Sequence, residues 1–224
     1  MYQPRHFAMT DEDAMMAVVR AYPFATLVTD GDQGVCIDHL PLMVEQTSQG
    51  ALVLRGHIAR ANALWRLGEG EGERADAGAI EAVAIFHGPD AYISPGWYPD
   101  KRRHGRVVPT WNYQVVHAHG RLAFQRESDW LTSHLTSLVD RFEAGREAPW
   151  AVDDAPEDYL EGMRRGIVGV ELEVTRLVGK HKASQHKPLE EREGIREGLR
   201  EDGRSARDAA VLCGDDPAPR YEGD

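Results

Sequence analysis

Apolar and polar positions recur along this chain with two different periods, and the period predicts which segments are helices and which are strands. Met15, Val18 and Val19 fall on one face of a helix predicted over residues 10–22, with Thr10 as N-cap, Asp11–Asp13 favouring the positive end of the helix dipole and Pro23 ending it. Strands are predicted at 24–29 (FATLVT), across 35–45 with an interruption at Pro41, and at 51–57 (ALVLRGH). Three more follow at 82–88 (AVAIFHG), 110–125 (TWNYQVVHAHGRLAFQ) and 168–180 (VGVELEVTRLVGK). DGDQG at 30–34 reads as a turn.

Helical spacing returns briefly at 59–67, then strongly at 127–143, where Trp130, Leu131, Leu135, Leu138, Val139 and Phe142 form one stripe, and again at 156–164 behind Pro156. Residues 68–81 are rich in Gly and Glu and predict a mobile surface loop; 89–109 predict a long loop crossing the surface. The segment from 188 is charged and predicted helical to about 201. These readings give one domain over 1–200 and a charged, disordered tail over 201–224. Strands dominate the middle, βαβ repeats are missing, and neither GxGxxG nor GxxxxGK[ST] occurs. The expected class is α+β, mainly β: an antiparallel barrel with peripheral helices.

Composition narrows the function classes. A formal net charge of −11 over 224 residues opposes broad binding to DNA, which needs a basic face; KRRHGR at 101–106 and GKHKASQHK at 179–187 are the two local basic patches. No paired short helices with a basic second member suggest a helix-turn-helix. No apolar run is long enough to span a membrane, and the acidic N-terminal region lacks a signal-peptide core, so a cytoplasmic protein is expected. Cys36 and Cys213 are distant in sequence and form no CxxC pair.

Two stretches carry candidate chemistry. RGHIARAN at 55–62 places Arg55, His57, Arg60 and Asn62 around one strand-to-helix turn, where side-chain donors and free backbone N–H groups suit an anion; a solvated turn with a basic rim has the same residue types. In VVPTWNYQVVHAHGRL, at 107–122, the two-residue period sets Trp111 and Tyr113 on one strand face and Asn112 and Gln114 on the other. Aromatic rings beside amides can stack on a planar ligand and read its edge, though each residue alone also suits a barrel core. His117 and His119 form an HxH pair able to ligate a metal if a third ligand arrives from elsewhere. Asp38 and His39 are adjacent, but no GxSxG elbow accompanies them and nucleophilic hydrolysis is not expected.

Taken in order, MYQPRHF, YPFATLVT, DHLPL, LRGHIARAN, FHGPDAYISPGWYPDK, VVPTWNYQVVHAHG, PWAVDDAP and a late GK-x-K-x-SQ resemble the PaiB-like family of FMN-binding negative transcriptional regulators, over about residues 1–200. The resemblance implies an FMN-binding split β-barrel that forms homodimers with FMN in a cleft at the subunit interface. It implies that RGHIARAN (Arg55, His57, Arg60, Asn62) serves the phosphate, that Trp111, Asn112 and Tyr113 wall the flavin, and that Asp38, His39 and Leu40 line the isoalloxazine. Lys182, Ser184 and Gln185 keep the family's late motif, while Ala183 stands where the family has Leu and His186 where it has Asn. His186 replaces an amide with a group that titrates near neutrality.

Three functions are open at this point. The first is a PaiB-type regulator, with direct DNA binding doubtful on charge grounds. The second is an FMN-dependent oxidoreductase or flavin reductase acting on a small molecule. The third is a haem or metal binder built on the histidine-rich surface that includes His181 and His186.

Overall fold

A computed structural model describes residues 1–31, 34–68 and 79–215. The predicted 68–81 loop therefore lies almost entirely outside the described residues, as does the end of the tail from 216. Eight strands form: β1 (Ala8–Met9), β2 (Phe24–Gly31), β3 (Gly34–Pro41), β4 (Met43–Gln46), β5 (Leu52–Ala59), β6 (Ala79–Ile93), β7 (Thr110–Gln125) and β8 (Ile167–Lys182). They make one eight-stranded sheet in the order β3-β2-β6-β7-β8-β5-β4, with β1 added to β8. The helices are α1 (Glu12–Ala21), α2 (Asp100–Arg103), α3 (Ser128–Glu143), α4 (Glu157–Arg165), α5 (Leu189–Glu201) and α6 (Ala206–Leu212). The antiparallel sheet with flanking helices is the expected mainly-β, α+β class.

Several boundaries differ from the sequence reading, each for a local reason. Asp11, not Thr10, caps α1: its Oδ1 accepts from the Asp13 backbone N–H at 3.0 Å and from that of Ala14 at 3.5 Å. The helix predicted at 59–67 is a 3-10 helix over Ala63–Gly68. Gly88–Pro89 reads as a strand end, yet β6 runs on to Ile93. Gly88 serves a close approach instead, since a Cβ there would lie 2.9 Å from Gln114 Oε1. The remainder of the predicted 89–109 loop contains a 3-10 turn, Pro95–Trp97, capped by Ser94, and then α2.

The chain divides into two compact units. Unit 1 comprises residues 1–22, 85–117 and 177–224, and unit 2 comprises 23–84 and 118–176. The disorder expected from 201 onward does not hold for 201–215, because α6 belongs to the core of unit 1. Ala209, Leu212 and Cys213 are fully buried with Ile93, Tyr98, Ile195 and Leu199. Each large aliphatic side chain so buried contributes about 2 kcal/mol, a gain that charge counting along the tail does not register. Helix α5 reaches the Trp97 ring through Gly198, where a Cβ would stand 2.2 Å from the indole. In unit 2 the strands alternate: Ala25, Leu27 and Thr29 of β2 face inward, and Phe24, Thr26 and Val28 face outward.

Candidate functional site

The residues singled out in the sequence fall into two sets, one in each unit. In unit 2, β2 and β3 pair so that Phe24 opposes Pro41, Thr26 opposes His39 and Val28 opposes Ile37. Their outward face carries three exposed large apolar side chains, Phe24 (66%), Val35 (67%) and Ile37 (60%). His39 lies on the same face, stacked on Phe24 with ring centroids 6.3 Å apart, its Nδ1 3.2 Å from Thr26 Oγ1. Asp38 and Leu40 alternate to the other side, where Leu40 is buried. β3 stands at one end of the strand order, so one row of its backbone N–H and C=O groups has no strand partner among the described residues.

The RGHIARAN donors are differently engaged. Arg55 spends its guanidinium on two carboxylates, Nη1 to Glu45 Oε2 at 2.5 Å and Nε to Glu171 Oε2 at 2.6 Å, and it lies over the Trp130 ring. His57 Nδ1 is 3.1 Å from Nε2 of His134, a residue on α3 that no sequence motif pairs with it. His134 is 3% exposed and stacked on Trp130, and its Nδ1 has no partner. Burial, then the neighbouring His57 and Arg55, push the His134 imidazole down to about 4; burial also lowers His57. Both rings are therefore neutral at pH 7, and the bond between them needs one donor and one acceptor nitrogen. Asn62 turns back onto β3, its Nδ2 donating to Asp38 Oδ1 at 2.5 Å.

Of the four donors expected around this turn, Arg60 is the exposed one. Its Nε donates to the Arg165 carbonyl at 2.7 Å and its Nη2 to that of Ile167 at 3.3 Å. It lines a cleft of about 230 Å³ with Arg126, Arg164 and Arg165 and with Ser128 in the first turn of α3. Arg164 and Arg165 are paired with Glu157 and Glu161 respectively, and Arg126 lies 4.6 Å over the Trp65 ring. This convergence of guanidinium groups from three separate chain segments has no signature in any one of them.

In unit 1, Asn112, Lys182 and Ser184 meet at a second cleft, of about 320 Å³. Asn112 is fully buried: its Nδ2 donates to Ser184 Oγ at 3.0 Å and to the Leu212 carbonyl at 2.8 Å. Ser184 is buried with φ of +58°, a left-handed backbone that non-glycine residues seldom adopt. Lys182 Nζ donates to Thr110 Oγ1 and to the Trp111 carbonyl. Burial and then the nearby Lys180 lower its affinity for a proton. Tyr98 joins this cleft without having stood out in sequence, and Arg106 and Lys187 bring one cation from each of the two basic patches, KRRHGR and GKHKASQHK.

The remaining sequence candidates lie elsewhere. Trp111 is 54% exposed and meets Tyr92 edge-on at 6.2 Å, on the strand face opposite Asn112. Tyr113 has Lys180 Nζ 5.3 Å over its ring. Gln185 is turned onto its own backbone, accepting from the Ala183 N–H at 2.9 Å and donating to the His181 carbonyl at 2.6 Å. His181 is itself buried against the Val211 carbonyl, 2.7 Å away. Among the described residues no group of three or more His, Cys, Asp or Glu is placed to hold a metal ion, and no helix is long and apolar enough to cross a membrane.

Comparison with known proteins defines the class. In fold the chain is similar to the flavocytochrome Anf3 from Azotobacter vinelandii (TM-score 0.53, 14% identity, covering 80% of this chain and 72% of that one). It is also similar to the FAD and heme binding protein from Mycobacterium smegmatis (TM-score 0.54, 15% identity, 78% and 73% covered). The class is the flavin-binding split barrel.

Residues 1–176 match the family model described as "Putative FMN-binding domain", and the chain belongs to that family. It is 32% identical over 187 residues to the protease synthase and sporulation protein PAI 2 of Bacillus subtilis, covering 84% of this chain and 83% of that protein. It is 32% identical over 184 residues to an uncharacterized protein of Emericella nidulans, covering 72% and 73%. FMN is the cofactor that this membership assigns. The residues of unit 2 fit it: a planar ring needs an apolar face beside hydrogen-bonding groups, which β2 and β3 provide, and a phosphate needs cations, which the cleft at Arg60 provides.

Proposed function

We propose that this chain is an FMN-binding protein of the PaiB type that holds the flavin on unit 2 and acts on gene expression indirectly, without reading DNA. The observation that carries the flavin placement is the edge strand β3, whose outer backbone row, unpaired among the described residues, runs beside exposed Val35 and Ile37. In this reading the isoalloxazine lies along Asp38–Leu40, Arg60 holds the phosphate, and Asn62 fixes the turn by its bond to Asp38. When bound, FMN supplies the redox chemistry; the protein orients it and keeps its phosphate in place. Arg55 and His57 act as supports, because Arg55 is committed to Glu45 and Glu171 and His57 Nδ1 is bonded to His134.

The same apolar face is suited to a second copy of the chain, giving a homodimer around the flavin. Three exposed large apolar residues on two adjacent strands favour burial against a partner. Indirect regulation is supported by charge. The chain carries a net −11, and the KRRHGR run is partly neutralised, with Arg103 paired to Glu190 at 2.5 Å and His104 3.3 Å from Asp100. A regulatory role draws further support from the Bacillus subtilis relative, which is named a protease synthase and sporulation protein.

Titration of the purified protein with FMN, followed by flavin fluorescence, tests the binding site. Saturable quenching is expected in the wild type and is weakened at least about tenfold by Arg60→Ala, the effect of losing one charged hydrogen-bonding partner. Equal affinities in the two proteins would move the phosphate away from Arg60. Light scattering of Ile37→Arg is expected to give monomer; an unchanged dimer would place the interface elsewhere. A salt-sensitive gel shift on a promoter fragment would overturn indirect regulation.

A second reading, FMN-dependent oxidation or reduction of a small molecule, is favoured by the cleft of unit 1, which offers a place for a second ligand. Bleaching of bound FMN by NADH or NADPH under anaerobic conditions is its test.

A further inference from the structure

The unit 1 cleft differs from an ordinary surface groove in three respects. Its rim gathers Arg106, Lys182 and Lys187 with His186, and among the described residues no Asp or Glu lines it, although the chain as a whole carries a net −11. Arg106 and Lys187 make no ion pair among the described residues; Lys187 instead lies 4.3 Å over the Tyr98 ring. His186 is held below its ordinary range first by burial and then by the neighbouring His6, Lys187 and Lys182.

The floor is polar and built. Asn112 and Ser184 are buried and bonded to each other. Tyr98, 2% exposed, brings its hydroxyl against the Ser184 side chain but outside hydrogen-bonding geometry, with the Glu191 carboxylate within electrostatic reach. Lys182 Nζ gives two of its three protons to Thr110 and the Trp111 carbonyl, which leaves one. An unpaired buried hydroxyl and a spare ammonium proton at one cleft are donors without an acceptor. Phe7, Val107 and Val108 supply an apolar wall. The left-handed backbone at Ser184 marks the floor as conformationally costly to hold, as ligand-clamping positions often are.

We infer that this cleft binds a small organic anion, a carboxylate or phosphate head on an apolar body, as a second ligand separate from the flavin. The head meets Arg106, Lys182 and Lys187 and accepts from the Tyr98 hydroxyl; the body lies against Phe7, Val107 and Val108. The volume, about 320 Å³, is at the small end of ligand sites and suits a molecule of one or two rings. The inference rests on unit 1 alone and stands whether or not the flavin lies where proposed on unit 2.

Calorimetric titration of the full chain with phenyl phosphate, benzoate and benzyl alcohol tests it, with and without saturating FMN. Saturable binding is expected for one or both anions, none for the neutral alcohol, and no change with FMN. The double variant Arg106→Ala/Lys187→Ala removes exposed and half-buried side chains and is expected to weaken the anion about tenfold while leaving FMN affinity unchanged. Tyr98→Phe is expected to weaken it severalfold without lowering the melting temperature. Three results would overturn the inference: no saturable binding of either anion, binding indifferent to the double variant, or displacement of the anion by FMN, which would make the cleft part of the flavin site. Anion binding in a protein that fails to take up FMN would uphold it and refute the flavin placement alone.

Discussion

Arg55 and Arg106 make an instructive pair. Arg55 sits in a motif that looks like a phosphate clamp, yet its guanidinium is shared between Glu45 and Glu171 and is closed to a ligand. Arg106 sits in a run that looks like a nucleic-acid patch, yet it faces a cleft that no carboxylate lines among the described residues. The same contrast holds for the two groups as wholes. In unit 2 most of the expected donors are consumed by protein partners; in unit 1 cations and a buried hydroxyl are left over. A cation is available for a ligand only where the fold withholds a carboxylate from it, because a bidentate or doubly paired guanidinium has few donors left to offer.

The largest test of this contrast is acid titration of the His57–His134 pair. Both imidazoles are held below their ordinary pKa of 6.5, His134 down to about 4. Their neutral forms therefore add stability that is fully present above pH 6.5. It is lost as pH falls below that value, where the unfolded chain takes up protons that the folded chain refuses. Urea unfolding is expected to lose about 3 kcal/mol from this pair between neutral pH and pH 4. His134→Leu should be less stable at neutral pH but show a flatter profile; an unchanged slope would break the assignment.

Next in size is Arg55→Met, which leaves Glu45 and Glu171 facing each other half-buried. A loss of about 2 kcal/mol in chemical denaturation is expected, with FMN affinity in the surviving folded fraction altered far less than by Arg60→Ala. The opposite ranking, a stable protein with FMN binding abolished, would return Arg55 to the ligand. Smallest is Tyr98→Phe: removing an unpaired buried hydroxyl should change stability by less than about 1 kcal/mol, in the stabilising direction, as judged by thermal unfolding. A clear destabilisation would mean that the hydroxyl already has a structural partner.

Much of the fold was legible in the sequence, and the reason is local. The alternation in TWNYQVVHAHGRLAFQ marks β7 over its full observed range, and the stripe from Trp130 to Phe142 marks α3 to within one residue. Both are long amphipathic segments whose own side chains sort to two faces. Less legible were β6, where Gly88 is a packing contact and not a break, and α6, whose apolar residues are few but all enter one core. The site divides in the same way. The family's motifs pointed to Asn112, Lys182, Ser184 and Arg60. Of the partners that give those residues meaning, Lys187 is close in sequence to Lys182 and Ser184, while Tyr98 and Arg106 at that cleft and Arg126 and Arg164 at the other come from separate segments.

By itself the sequence determined the mainly-β class, most of the element boundaries and membership of an FMN-binding family, because periodicity, turn chemistry and ordered motifs are properties of the chain alone. Only the tertiary structure decided which donors are spent and which remain. Whether Arg55 meets Glu171, or His57 meets His134, depends on residues more than seventy positions away, brought together by strand pairing and helix packing. Residue type fixes what a side chain is able to bond; the burial and neighbours that the fold imposes fix what it does bond.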